Sequence, residues 1–202
     1  MDQLLKETRW LYEHLLDSEQ QHAIHTFMEN KETGHDTEAL SIFWGSDAEI
    51  GGIGGYSLPK NPVQNPFPGG VKRKIYRPLQ YAASEIERDV AFGSRYIVQY
   101  AGMHLEAVAR EYLMQTQTLG KLRNYNSTLG KVVHQISSLQ TLNETSTQSL
   151  FQFVSLYNMS KHEVNQDDSR ERLFTSEDAL IAYLTSRMLG VYLLTSIDLK
   201  NQ

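Results

Sequence analysis

The chain has 202 residues, 40% of them apolar, a formal net charge of -5 and no cysteine. Without cysteine there are no disulfides, no thiolate catalysis and no cysteine-ligated zinc or iron-sulfur site. The acidity argues against a protein whose whole surface tracks a nucleic-acid backbone, because phosphate contacts need clustered lysine and arginine. No window reaches the ~18–20 consecutive apolar residues that span a bilayer, and Asp2, Lys6, Glu7 and Arg9 interrupt any secretory apolar core. The expectation is a cytoplasmic, single-domain protein without a membrane segment.

In chain order, Leu4, Leu11, Leu15, Ile24, Phe27 and Met28 fall at helical intervals with charges between them, which predicts one long amphipathic helix over residues 2–30. Asp36 or Thr37 can cap a short second helix holding Ala39, Leu40, Phe43 and Trp44, closing an N-terminal unit of residues 1–44. All five prolines, Pro59, Pro62, Pro66, Pro68 and Pro78, then lie in one stretch with seven glycines. Proline lacks an amide donor and glycine costs backbone entropy, so residues 45–78 read as a long irregular loop, with a short extended hairpin near Val71 to Tyr76. Between Glu49 and Glu85 there is no acidic residue, whereas Lys60, Lys72, Arg73, Lys74 and Arg77 lie there.

Residues 79–202 form the expected bundle core. Pro78 suits the first turn of a helix, where a missing amide hydrogen costs nothing. Ile86, Val90, Ile97, Leu105, Val108 and Tyr112 then continue a single helical stripe, predicting one long central helix that reaches Gln115. Gly93 and Gly102 inside it would each weaken an exposed helix by about 1 kcal/mol, so they mark a bend or the close approach of another helix. A helix over 129–139 follows. Thr141 and Glu144 have capping-box spacing before Leu150, Val154 and Tyr157, and Thr175 and Asp178 repeat it before Leu180, Leu184, Met188, Val191 and Leu194. With strand signals nearly absent, the fold class is all-α: an up-and-down bundle of four to six helices with a long Gly/Pro-rich loop.

The most pointed chemical feature ends the helix before residue 163. Phe151, Val154, Asn158 and His162 are spaced by three, four and four residues, so an amide and an imidazole share a stripe that begins apolar and ends polar. A partly buried histidine there can move a proton near neutral pH, with Asn158 orienting it. The bland alternative is a histidine that favours the negative end of the helix dipole.

The run Tyr157-Asn158-Met159-Ser160-Lys161-His162, in a chain whose long central helix pairs with a long last helix, resembles the HEPN (higher eukaryote and prokaryote nucleotide-binding) class of helical bundles. The resemblance spans about residues 80–200. It implies a homodimer that binds RNA or a nucleotide, in a bacterial defence or toxin-antitoxin setting, with no metal or other cofactor. It also implies His162 and Asn158 at the catalytic position, with Tyr157 and Lys161 beside them. Ribonuclease members carry an arginine shortly before the histidine, often followed by a polar residue. Here Asn158 stands in its place, which points to a degenerate ribonuclease. Arg123 and Asn124 supply the two residue types elsewhere, but no histidine follows until His134.

Two other classes compete. His22, His25 and Glu29, at i, i+3 and i+7, can put two imidazoles and a carboxylate on one helix side, with His104 and Glu106 as further donors for a metal-dependent enzyme. Alternatively the loop supplies a flexible basic arm, Lys72, Arg73, Lys74 and Arg77 with Tyr76, for a phosphate chain or an acidic protein partner. The run Gly51 to Gly55 lacks the strand and the Gly-Lys-Ser/Thr ending of a phosphate loop.

Overall fold

The first apolar block breaks where its periodicity does not. In the computed structural model, which describes residues 4–33, 71–116, 127–162 and 174–201, and residues 31–33, 71–73 and 198–201 through their backbone alone, that block forms α1 (Lys6–Leu15) and α2 (Ser18–Thr33). Leu16 is extended (φ -85, ψ 133). Asp17 then starts α2 with a reciprocal box: its carboxylate accepts from the Gln20 amide at 2.8 Å, and its own amide donates to Gln20 Oε1 at 3.0 Å. The single long N-terminal helix is therefore corrected to two. The predicted short helix over Asp36 to Trp44 and most of the Gly/Pro-rich segment lie outside the described residues.

Residues 71–77 are helical, which corrects both the expected hairpin at Val71 to Tyr76 and the loop boundary at 78. The helix α3 (Val71–Thr116) contains Pro78 in its interior and has one non-helical residue, Asp89 (φ -167, ψ 97). At that residue the helix turns back on itself. The rings of Tyr81 and Tyr100 lie 5.4 Å apart, and His104 Nδ1 donates to the carbonyl of Ile75 at 2.7 Å. A straight helix would separate residues 81 and 100 by about 28 Å. The central element is thus a hairpin of two antiparallel arms, 71–88 and 90–116. Asp89 starts the second arm, its Oδ1 accepting from the amides of Ala91 (3.0 Å) and Phe92 (3.1 Å). The two interior glycines do what their cost suggested: a Cβ on Gly93 would lie 3.1 Å from Glu85 Cβ, and one on Gly102 would overlap the Tyr157 ring.

The remaining helices are α4 (Leu129–Ser138), α5 (Glu144–His162) and α6 (Ser176–Asn201). Six helices and no strand are present among the described residues, an all-α helical bundle. Thr141 does not cap α5. Asn143 does, accepting from the Ser146 amide at 2.7 Å, while Thr141 Oγ1 receives the Tyr112 hydroxyl at 2.8 Å. At α6 the expected box is present: Thr175 Oγ1 accepts from the Asp178 amide at 3.1 Å and the Asp178 carboxylate accepts from the Thr175 amide at 2.9 Å. The same fully buried carboxylate also takes the Leu5 amide at 3.1 Å and the Thr8 hydroxyl, fixing α1 to α6.

The core forms chiefly where α6 lies along α3, with α5, α4 and the N-terminal α1 and α2 completing it. Ile75, Ile86, Ile97, Leu105, Tyr112, Phe153 and Tyr183 are almost wholly excluded from solvent. The segment Ser176–Ile197 of α6, mean hydropathy 1.4, is long and apolar enough to cross a bilayer by composition, yet 72% of it is buried inside the protein, which makes it the core helix.

Candidate functional site

The stripe on α5 follows the gradient expected from its spacing. Phe151 is half-buried and meets the His134 ring edge-on at 5.0 Å, and Val154 packs on Gly130. Asn158 and His162 are exposed, and neither makes a hydrogen bond among the described residues. The buried face of this helix is Leu150, Phe153, Leu156, Tyr157 and Ser160, one quarter-turn away. The expected partial burial of the amide and imidazole is therefore corrected: the core takes the neighbouring stripe and leaves theirs in water.

Tyr157 and Lys161 do come together. The Lys161 ammonium stands 3.5 Å from the centroid of the Tyr157 ring. Burial pushes the Tyr157 phenol up to about 12, helped by Glu106 and opposed by Arg110. Burial also lowers the Lys161 ammonium, with Glu106 working against that shift and Arg110 with it. Glu106 and Arg110 in turn organise the start of α4. Arg110 donates to Glu106 Oε1 and to the Ser127 carbonyl, both at 2.6 Å, while Glu106 Oε2 accepts the Leu129 amide at 2.9 Å. Glu106 is thus a structural carboxylate in this chain. The last turn of α5 is pinned as well: Arg95 Nε (2.8 Å) and Gln99 Nε2 (2.7 Å) both donate to the Ser160 carbonyl.

The larger exposed feature lies on α3 and was not singled out in the sequence. Phe92 (60% exposed), Tyr96 (46%) and Met103 (46%) share one stripe of the second arm, at spacings of four and seven residues. Tyr81 of the first arm, 45% exposed, leans on Tyr100 with rings tilted at 44°. Burial, then the charges of Glu85, Tyr81 and Tyr96, hold the Tyr100 phenol above its usual range, which places these four groups in one neighbourhood. Arg77 lies 5.4 Å from the Tyr81 ring centroid and its Nε donates to the Tyr81 hydroxyl at 3.3 Å. Lys74 is exposed one turn earlier. The result is a tyrosine cluster with a cationic end. A sequence signal existed: aromatic residues recur at helical spacing off the core stripe, so this helix has two apolar faces.

The other predicted residues separate. Lys72 and Arg73 belong to the first turn of α3 by their backbone, so with Lys74 and Arg77 the basic cluster is carried on a helix and not on a flexible arm. Arg123 and Asn124 lie outside the described residues. His22 and His25 are exposed and engage Thr26 (3.4 Å) and the Tyr12 hydroxyl (3.3 Å) respectively. Among the described residues no group of three or more metal-binding side chains converges, so His22, His25 and Glu29 do not form the metal set weighed from their spacing.

His104 is not a surface donor but a core residue. Its ring fills the notch left by Gly190, whose Cβ would sit 2.5 Å from Nε2, and that nitrogen has no hydrogen-bond partner among the described residues. Burial, opposed by the Ile75 carbonyl and assisted by the Arg187 charge, brings its pKa down to about 4. A cavity of about 10 Å³ beside it, between Leu79, Arg187 and Leu194, has the size of a single water.

No family model, curated protein or solved structure matches the chain.

Proposed function

We propose that this chain is a helical module that binds single-stranded RNA through the α3 hairpin, in keeping with the HEPN-like, RNA-related reading of its sequence. The observation that carries the reading is the cluster in which exposed Tyr81 and Tyr96 flank half-buried Tyr100, with Arg77 against Tyr81. Base-aromatic stacking is indifferent to sequence and contributes about 1–3 kcal/mol per base, and a cationic end beside the rings supplies phosphate contacts. The basic residues at positions 72, 73, 74 and 77 lead into the tyrosines, so a strand running along the first arm meets charge first and rings second.

Binding is favoured over cleavage. His162 and Asn158 stand exposed and unlinked to each other, and an amide at position 158 cannot stabilise developing negative charge as a guanidinium does. Fluorescence anisotropy with a labelled single-stranded RNA, titrated across salt concentrations, tests the reading. Replacing Tyr81 and Tyr100 by alanine is expected to weaken binding by about tenfold to a hundredfold. Replacing Lys74 and Arg77 by alanine should flatten the salt dependence by about two phosphate contacts. Absence of binding at low salt, or equal affinity of the tyrosine variant, would defeat the proposal.

A further inference from the structure

The tyrosine cluster on α3 has a carboxylate beside its rings. Glu85 lies one turn beyond Tyr81 on the first arm and is pressed against the second arm at Gly93, where a Cβ would come within 3.1 Å of Glu85 Cβ and 3.2 Å of its Oε2. Gly93, Tyr96 and Tyr100 follow one another at i, i+3 and i+7, so the glycine that admits the carboxylate belongs to the same stripe as the two tyrosines. Tyr81 closes the group from the first arm, its ring 5.4 Å from that of Tyr100. After burial, the Glu85 charge is the next cause that holds the Tyr100 phenol above its usual range. Half-buried, Glu85 accepts no hydrogen bond and pairs with no cation among the described residues.

An ionised carboxylate can only accept, and its two oxygens match two donors set side by side. The bases of a single strand offer their Watson–Crick edges to protein. Guanine alone among the four presents two adjacent donors there, its N1–H and its N2 amino group. Adenine and cytosine place a ring-nitrogen acceptor beside their amino group, and uracil flanks its N3–H with two carbonyls, so each of these turns a lone pair toward the carboxylate. A cationic ligand fits less well, because the Arg77 guanidinium already stands 5.4 Å from the Tyr81 ring centroid. Arg77 precedes Glu85 by about 12 Å along the arm, so phosphate and base edge are served from opposite ends of it. Building on the RNA-binding reading above, we propose that Glu85 makes the site selective for guanine, its carboxylate accepting from the N1–H and the N2 amino group of a base stacked on the neighbouring tyrosines. The rings and Arg77 supply affinity that is blind to sequence, and Glu85 reads the base.

Anisotropy titrations that compare a short labelled oligouridine with the same strand carrying one guanine, adenine, cytosine or inosine test this. The guanine strand is expected to bind about tenfold to a hundredfold more tightly than oligouridine. Inosine, which lacks the N2 amino group, should lose most of that gain. Glu85→Gln keeps the shape of the side chain but replaces one oxygen by a donor, and should bring the guanine strand down to the affinity of oligouridine while oligouridine itself binds at least as well as to the parent. The inosine strand needs only the parent protein, so it decides the matter if the variant does not fold. Equal binding of all strands would overturn the role of Glu85 and leave RNA binding in place, whereas no binding of any strand at low salt would overturn both. A guanine preference that survives inosine or Glu85→Gln would also overturn it. So would displacement of the strand by choline rather than by guanosine monophosphate, which would mark the rings and carboxylate as a cation site.

Discussion

Two aspartates start helices in this protein, and they do different work. Asp178 is wholly buried and collects donors from α1 as well as from its own first turn. Asp89 is exposed and holds two amides of its own arm. The same capping chemistry therefore reaches into another helix from a buried carboxylate at Asp178, and holds the first turn of its own arm from an exposed one at Asp89. Burial makes the difference, because a buried donor that loses its acceptor cannot turn to water, whereas an exposed one can.

The strongest way to break that contrast is Asp178→Ala. It strands the Leu5 and Thr175 amides, leaves the Thr8 hydroxyl only the Leu5 carbonyl at 3.2 Å, and should cost about 3–5 kcal/mol in urea denaturation. A loss under about 1 kcal/mol, the size of an ordinary surface cap, would erase the distinction.

Acid sharpens it next. His104 has a folded pKa of about 4 against 6.5 when unfolded. Its neutral form is favoured by folding, so its contribution is full above pH 6.5 and is lost as pH falls from there toward 4. The total is about 3 kcal/mol. Stability curves of the parent and of His104→Gln should converge across that window, and parallel curves would show that the buried ring is not the sensor. The smallest effect belongs to the exposed tip of α5: His162→Ala should change stability by less than about 0.5 kcal/mol, checked by the same denaturation.

The helices were legible where the signal is local. Thr175 and Asp178 marked α6 correctly because both partners of the box lie within one turn, and Leu129, Val132, Val133 and Ile136 marked the buried face of α4. Asn143 displaced Thr141 as the cap of α5 because Thr141 is used by Tyr112, a partner far away in the chain. Asp17 and Gln20 carried the same box signal, hidden under an apolar period that runs through them. The corner at Asp89 had no glycine or proline to announce it, and pairing between the arms decides it.

The candidate site was less legible for the same reason. Spacing put Asn158 and His162 on one stripe, but which stripe of α5 meets the core is set by α3, whose Gly102 admits Tyr157 instead. The tyrosines at 81 and 100 are distant in sequence and meet only because the chain reverses between them.

Glu106 has a consequence beyond its own helix. Thr128 offers α4 no side-chain cap, and the first amide of α4 is held by a carboxylate belonging to α3, with Arg110 steadying the carbonyl just before it. The start of α4 is thus borrowed from a neighbour. A change at residue 106 would therefore be felt first at the N-terminus of another helix, whereas any residue but proline at 129 would still present the amide that Glu106 holds.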